Sequence, residues 1–300
     1  MIYDLKKTEA PTMQIDLLGK KRYKVNLHMH TKLSDGFLAP AEAMARYKQA
    51  GYDAVALTDH WYYGKEQEFD GMLVLSGGEF NTRTFDCRQG VFHIVGVGTR
   101  YEPSVTLSSS PQKIIDEIHA AGGLAILAHP AWSLNTVEHF ASLSGIDATE
   151  IYNSVSGVHE SRRPDSSLIV DILASQGHVY PLIAADDTHY YDNDDCQSWI
   201  MVEAEECTRE AIIEAVRQGN CYATQGPEVH LWREGNELVV KCSPCSEIVF
   251  LSNMVWEERT RVGEELTEAR YPLHKRECFV RAEVTDKNGK RAWSQILWIE

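Results

Sequence analysis

The sequence predicts an α/β protein: a parallel sheet closed or covered by helices, followed by a small all-β domain. Two observations carry this. From about residue 24 to 224, short apolar strands alternate with helices. After Thr224-Gln225-Gly226-Pro227 the helix signal stops, and short strands separated by turns take over. A chain of 300 residues suffices for one large unit and one small one.

The elements follow in order. Residues 25–27 read as a short strand. Residues 40–50 read as a helix, with Pro40 at its start and Gly51 just past its end. Residues 54–57 form an unbroken apolar run, as expected of a buried strand. Residues 72–75 and 91–97 are two more strands. Residues 111–121 form a helix stopped by Gly122-Gly123, and residues 124–127 form the next strand. Residues 148–152 and 181–184 complete seven strands, with a helix at 166–176 between them. Residues 208–218 make a capped amphipathic helix ended by Gly219. Seven strands over about 200 residues suit a barrel better than an open sheet, although periodicity alone does not separate the two. Strands at 229–232, 237–242, 247–251, 277–285 and 292–299 then suggest a β-sandwich-like domain over 225–300, leaving 1–224 as the first unit.

Composition narrows the function. The formal charge of −15 argues against coating nucleic acid through a basic face, and leaves a small nucleotide open as ligand. No apolar run is long enough for a bilayer, and residues 1–20 lack a signal-peptide pattern, so we expect a cytoplasmic protein without membrane association. Seven cysteines are an odd number in a large chain, so no disulfide framework is expected. Only Cys242 and Cys245 have metal-like spacing. Zinc there would need two more ligands, with His274 and Cys278 as candidates; the alternative is a polar turn.

The strand ends carry the chemistry. The first strand runs into His28-Met29-His30, whose imidazoles two residues apart on an extended chain share a face. Asp35 follows in a Ser34-Asp35-Gly36 turn that folds the carboxylate back. The second strand ends at Asp59-His60 and the third at Gly77-Gly78-Glu79. His93 lies within the fourth, and the fifth ends at His129. The sixth ends near Glu150 to Asn153, and the seventh at Asp186-Asp187-Thr188-His189. In α/β barrels the C-terminal rim is where catalytic groups collect. Nine imidazole and carboxylate donors without a thiolate suit Zn²⁺, Mn²⁺ or Fe²⁺. They are too many for one ion, so two or three divalent ions are implied.

These residues resemble the ordered motifs of the PHP (polymerase and histidinol phosphatase) family: His28-Met29-His30-Thr31 with Ser34-Asp35-Gly36, Thr58-Asp59-His60, Glu79, His93, His129 and Asp187-Thr188-His189. The resemblance covers about residues 24–224. It implies a distorted seven-stranded (β/α) barrel and a trinuclear site. One ion would be held by His28, His30, Glu79 and Asp187, a second by Glu79, His93 and His129, and a third by Asp35, His60 and His189. The last motif is commonly Gly-Ser-Asp-Ala-His. Here Asp186 is an extra acid, read as support for the ligand Asp187, although the two could be exchanged.

The expected reaction is phosphate ester hydrolysis, in which water shared by two ions is deprotonated and attacks phosphorus. Arg163, with Arg162 and Asn153 nearby, is the candidate phosphate contact. Arg83 and Lys32 are weaker ones. Asp59 is expected to orient His60 through a hydrogen bond. The aromatic run Trp61-Tyr62-Tyr63 is read as packing its loop in preference to stacking on a base. Two rival readings are an amidohydrolase, whose barrels also begin with His-x-His, and a binding module on a degenerate barrel. The substrate, the choice between monoester and diester, and the oligomeric state are not readable from the sequence.

Overall fold

The computed structural model describes residues 13–82, 84–256 and 258–299; Arg83 lies outside them. The elements in chain order are β1 (Gln14–Ile15), β2 (Lys21–Asn26), α1 (Pro40–Gln49), β3 (Ala54–Ala56), β4 (Gln67–Phe69), β5 (Met72–Leu75), β6 (Gly77–Asn81) and β7 (His93–Val97). Then come α2 (Pro111–Ala120), β8 (Leu124–Leu127), α3 (Pro130–Ser133), α4 (Val137–Ala141), β9 (Ala148–Asn153), α5 (Ser154–Val158) and α6 (Ser167–Ser175). The first part closes with β10 (Leu182–Ala185), β11 (Trp199–Glu203), α7 (Arg209–Arg217) and β12 (Cys221–Thr224). Six further strands follow: β13 (Val229–Glu234), β14 (Glu237–Ser252), β15 (Thr260–Pro272), β16 (Phe279–Thr285), β17 (Arg291–Trp293) and β18 (Leu297–Trp298). Among the described residues none of the helices is long and apolar enough to cross a membrane.

The fold is mixed α/β, but the seven-stranded (β/α) barrel expected from the sequence is not formed as one ladder. Two sheets are present. One has thirteen strands, with the path β13-β14-β16-β17-β12-β11-β2-β3-β5-β4 and β1, β15 and β18 attached at its sides. The other has five, in the order β10-β9-β8-β7-β6. The chain crosses from one sheet to the other at Ser76, between β5 and β6. A Cβ on Gly77 would lie 2.9 Å from the Leu57 carbonyl, so the crossing needs glycine there.

Only part of each sheet is parallel. β2, β3 and β5 run parallel, as do β8, β9 and β10. β7 runs antiparallel to both β6 and β8. Parallel neighbours need a crossover of a dozen or more residues, usually helical. The link from β6 to β7 carries only a short 3-10 turn at Cys87–Gln89, so the chain simply reverses. The two sheets touch through isolated bridges at Met29–Thr188, His60–Glu79 and Gly64–Gly77.

A single apolar core spans the sheets. Val25, Ala56 and Leu75 from the larger sheet meet Val95, Ile126 and Ile183 from the smaller. Trp293, near the C-terminus, is fully buried in this same core. The C-terminal strands join the larger sheet where β17 pairs with β12. They bury a second core with Val240, Ile248 and Phe250, to which Met201 and Tyr222 of the first 224 residues also belong. Arg281 on β16 bonds Asp171 on α6 at 2.7 and 2.9 Å. Arg291 on β17 bonds Asp165 at 2.5 Å and lies over the rings of Tyr152 and Trp293.

Candidate metal centre

Parallel strands deliver their C-terminal ends to one side of the molecule, and the chain just beyond β2, β3, β8 and β10 carries His28 and His30, His60, His129, and Asp187 and His189. β7 is reversed, so its first residue, His93, reaches the same side. That reversal explains why a histidine at the start of a strand joins residues found past the ends of others.

The innermost group is buried. His28 Nε2 and His30 Nε2 lie 3.2 Å apart. Each is 3.0 to 3.2 Å from both Glu79 Oε2 and Asp187 Oδ1. Four donor atoms at such spacing match the edges, about 3.3 Å, of a tetrahedron around an ion with bonds of about 2.0–2.1 Å. Asp187 Oδ1 is buried without a hydrogen-bond partner, and so is His60 Nδ1. Buried polar atoms are ordinarily paired, so the Asp187 orphan points to a cation in this innermost group, and the His60 orphan to one in the groups that follow.

Two further groups share members with the first. His60, Glu79 and His93 converge, with His60 Nδ1 3.2 Å from Glu79 Oε2 and His93 Nδ1 2.7 Å from Glu79 Oε1. His129 Nε2 is 3.5 Å from Glu79 Oε1. His30, Asp35, His60 and His189 form the outer group, in which Asp35 Oδ1 is 3.5 Å from His189 Nε2. Gly36 makes this possible: a Cβ there would fall 2.5 Å from the His30 carbonyl, so the turn carrying Asp35 packs flat on His30.

The histidines are oriented from behind. Glu150 Oε1 accepts a hydrogen bond from the His28 Nδ1–H at 2.7 Å, leaving Nε2 free to donate its lone pair. Glu150 Oε2 accepts from the His129 backbone N–H and from Asn153 Nδ2. Ser34 Oγ faces His30 Nδ1 at 3.3 Å, Ser133 Oγ faces His129 Nδ1 at 3.2 Å, and His189 Nδ1 bonds the Asp187 carbonyl at 2.7 Å. Asp187 and His129 hold left-handed backbone conformations, φ 53° and 30°. The Asp187 N–H donates to the His28 carbonyl, which ties β10 to β2 at the site.

The electrostatics are those of a cluster made for cations. Burial acts to lower the pKa of His30, yet the Asp187 and Glu79 carboxylates beside it win and raise it to about 9. Burial likewise opposes protonation of His28, and Asp187, Glu150 and Glu79 push it well above the usual value. Burial raises Glu79, but the surrounding imidazoles bring it well below the carboxylate range. His60 is lowered to about 4 by burial.

Several sequence expectations find other roles. Asp59 does not reach the His60 ring. It accepts from Thr31 N and Oγ1 and from Ser34 N and Oγ, because alternate residues of the strand extension face opposite ways. It therefore acts on His30, through Ser34. Asp186 faces away from the histidines and accepts from Tyr47 Oη, Ser154 Oγ and the N–H groups of Cys196, Gln197 and Ser198. Burial raises it to about 7. Asn153 is buried and committed to Glu150, Asp187 and Ser156, which makes it a brace for the cluster and leaves it no free amide for phosphate. Arg162 and Arg163 are exposed and bond the carbonyls of Gly157 and Trp132. The cavity over the cluster, about 290 Å³, includes neither in its wall. Beyond the cluster that wall is Phe37, Trp132, Val155, Ser156, Glu160 and Tyr190. Trp61 packs on Phe80 and donates to Asn81 Oδ1.

Glu150 is the main residue the sequence reading left without a role. Its signal was a carboxylate between Thr149 and Ile151 in a strand read as buried. Two other clusters are poorer candidates. Cys242 and Cys245 come within 3.6 Å, but no third donor joins them among the described residues. Asp16, Glu228 and His230 also converge, but the Arg22 guanidinium already sits 2.7 Å from Asp16.

Comparison with known proteins sets this geometry in context. A solved two-domain protein from Bacteroides vulgatus, containing a predicted PHP-like metal-dependent phosphoesterase, superposes over 97% of this chain and 98% of its own with TM-score 0.58 and 16% identity. The fold is shared. An uncharacterised protein from Methanocaldococcus jannaschii is 24% identical over 160 residues, 52% of this chain and 70% of that protein. An amidohydrolase structure from Chromobacterium violaceum overlaps 57% of this chain and 89% of its own at 17% identity, with TM-score 0.39, too low to establish a common fold. No protein-family model matches the chain.

Proposed function

We propose that the protein is a metal-dependent phosphoesterase that hydrolyses an ester of a small phosphorylated metabolite or nucleotide. The observation that carries this reading is the convergence of His28, His30, Glu79 and Asp187, with the buried Asp187 Oδ1 orphaned among them. The fold shared with a protein containing a predicted PHP-like metal-dependent phosphoesterase supports it. Three overlapping donor groups support a trinuclear arrangement, and the nitrogen and oxygen donors suit Zn²⁺, Mn²⁺ or Fe²⁺. Bound ions would supply the Lewis acidity that acidifies water and offsets charge on phosphate oxygens.

The chain's own groups do the rest. Glu150 keeps the His28 proton on Nδ1 and so keeps Nε2 available. Glu79 and Asp187 bring the negative charge that holds cations in a buried site. The cavity admits one small substrate, whose organic part meets Phe37, Trp132 and Tyr190. The Tyr190 hydroxyl, which donates to Glu160 Oε1 at 3.4 Å, stands on the wall outside the cluster, where it could protonate a leaving oxygen. We assign this chemistry to residues 1–224 and read 225–300 as a β-domain that braces them through Arg281 and Arg291. All seven cysteines are free thiols, which fits the cytoplasm as the compartment.

The test is elemental analysis of the purified protein, paired with phosphate release from an aryl phosphate with and without Mn²⁺. Two or three metal equivalents with metal-dependent release are expected. Full loading with release of ammonia or a carboxylate from an amide would favour the amidohydrolase reading. A metal-free protein that cannot be reconstituted would overturn both.

A further inference from the structure

Two register shifts lie back to back in the C-terminal strands. Between Lys241 and Cys245, β14 advances four residues while its partner β15 passes only from Glu268 to Leu266. Between Cys245 and Glu247 the imbalance reverses, and β15 passes from Leu266 to Val262. Each strand thus bows away from the other in turn.

The first bow acts on two cysteines. In a regular strand, residues three apart face opposite sides. Here Cys242 and Cys245 both turn inward, buried, with their sulfurs 3.6 Å apart. Both thiols lie near one acceptor, the Leu266 carbonyl, at 3.7 and 3.3 Å. The second bow, at Gly263, Glu264 and Glu265, has Glu265 in the left-handed region at φ 56°. A cavity of about 560 Å³ opens at the two bows, and Cys245 stands in its wall. Glu264, Glu265 and Asp286 line the cavity against a single Lys287, so it is net acidic.

We propose that Cys242 and Cys245 form a redox-active dithiol, which closes to a disulfide by exchange with a small neutral or cationic disulfide entering this cavity. The Cys245 thiolate attacks one sulfur of the reagent. The reagent's S–S bond breaks, a mixed disulfide forms, and one reagent thiolate leaves. Cys242, its proton released to solvent, then attacks the Cys245 sulfur and expels the second reagent thiolate. Two protein thiols are oxidised, and their two protons end on the two departing reagent thiolates, so the reagent is reduced to two thiols. The sulfurs need to close from 3.6 Å to about 2.05 Å, and the irregular backbone between them is where that movement is accommodated. Burial pushes both thiols up, which makes the exchange slow at neutral pH. The carboxylates in the wall repel anionic disulfides.

The experiment exposes the full-length protein at about pH 8.5 and low ionic strength to cystamine, a dication, or to oxidised glutathione, an anion. Quenching by alkylation and peptide mapping follow. The expected result is a Cys242–Cys245 disulfide with loss of two hydrogens, about 2 Da. Cystamine should react about tenfold faster than oxidised glutathione, with the gap closing in high salt. Cys242→Ser should stop at a mixed disulfide on Cys245, and Cys245→Ser should leave Cys242 unreacted. Persistent alkylation of both Cys242 and Cys245 in the unmodified chain would overturn the dithiol. Equal rates for the two reagents would overturn the acidic cavity as the route of entry.

Discussion

Glu150 Oε1 lies 2.7 Å from His28 Nδ1, with both side chains fully buried. The carboxylate contributes nothing directly to the donor group, yet it decides which nitrogen of His28 faces it. Replacing Glu150 by Gln substitutes a neutral amide for the acceptor and leaves the tautomer unfixed. We expect metal affinity to fall about 10–100-fold, with the chain still folded. Competition with a chelating dye measures it; unchanged affinity would remove Glu150 from the site.

Glu79 faces His28, His30, His60, His93 and His129 at once. Glu79→Gln should therefore lose metal from more than one position and lower turnover by about a thousandfold or more. Elemental analysis separates this from a variant that merely loses a catalytic step while keeping its ions.

The metal-free protein should show a pH trend that the loaded protein lacks. His30 has a pKa of about 9 in the fold against 6.5 unfolded. Its protonation therefore stabilises the fold fully below pH 6.5, and that contribution is lost as pH rises toward about 9. Melting of the chelator-treated protein should fall over that window. A bound cation takes the proton's place, so the loaded protein should be flat there and should release protons on loading. An identical slope in both forms would count against His30 as a ligand.

Removing metal should itself destabilise the fold. At free ion one hundred times Kd, binding contributes about 2.7 kcal/mol per site. A melting temperature indifferent to chelator would show that the cluster stands on hydrogen bonds alone.

Trp293 is completely buried in the core shared by the two sheets, stacked on Tyr152. Trp293→Ala should cost about 3–5 kcal/mol, read by urea denaturation. Its indole N–H has no partner, so Trp293→Phe should cost much less.

Much of this was legible in the sequence, because the signals were local. Pro40 and Gly51 bracket α1, Gly122 and Gly123 stop α2, Thr208 caps α7, and apolar runs gave β3, β5, β8 and β10. Most ligand candidates could be read because they sit beside a strand end; Asp35 stands in a turn and Glu79 in the middle of β6. Sheet closure was not legible, because it depends on which strands pair. Nothing near His93 announces that β7 runs backwards. β15 was missed because its charged, largely exposed residues carry little apolar alternation, and it is held by β14 alone. β11 and β12 were missed although both are largely buried. Their hydrogen bonding to β2 and β17 lies far away in sequence. The roles of Glu150, Asp59 and Asp186 rest on which way each side chain turns, and that is set by tertiary contacts.

The pairing of β17 with β12, and the burial of Trp293 in the first core, give the order of synthesis a consequence. More than a hundred residues of synthesis separate His189, the last donor of the cluster, from the residue that fills this core. Until then the nascent protein exposes an open strand edge at β12 and an unfilled space beside Tyr152. Nascent chains arrested before Trp293 should therefore be bound by chaperones and cut by proteases, although every donor of the cluster has already emerged.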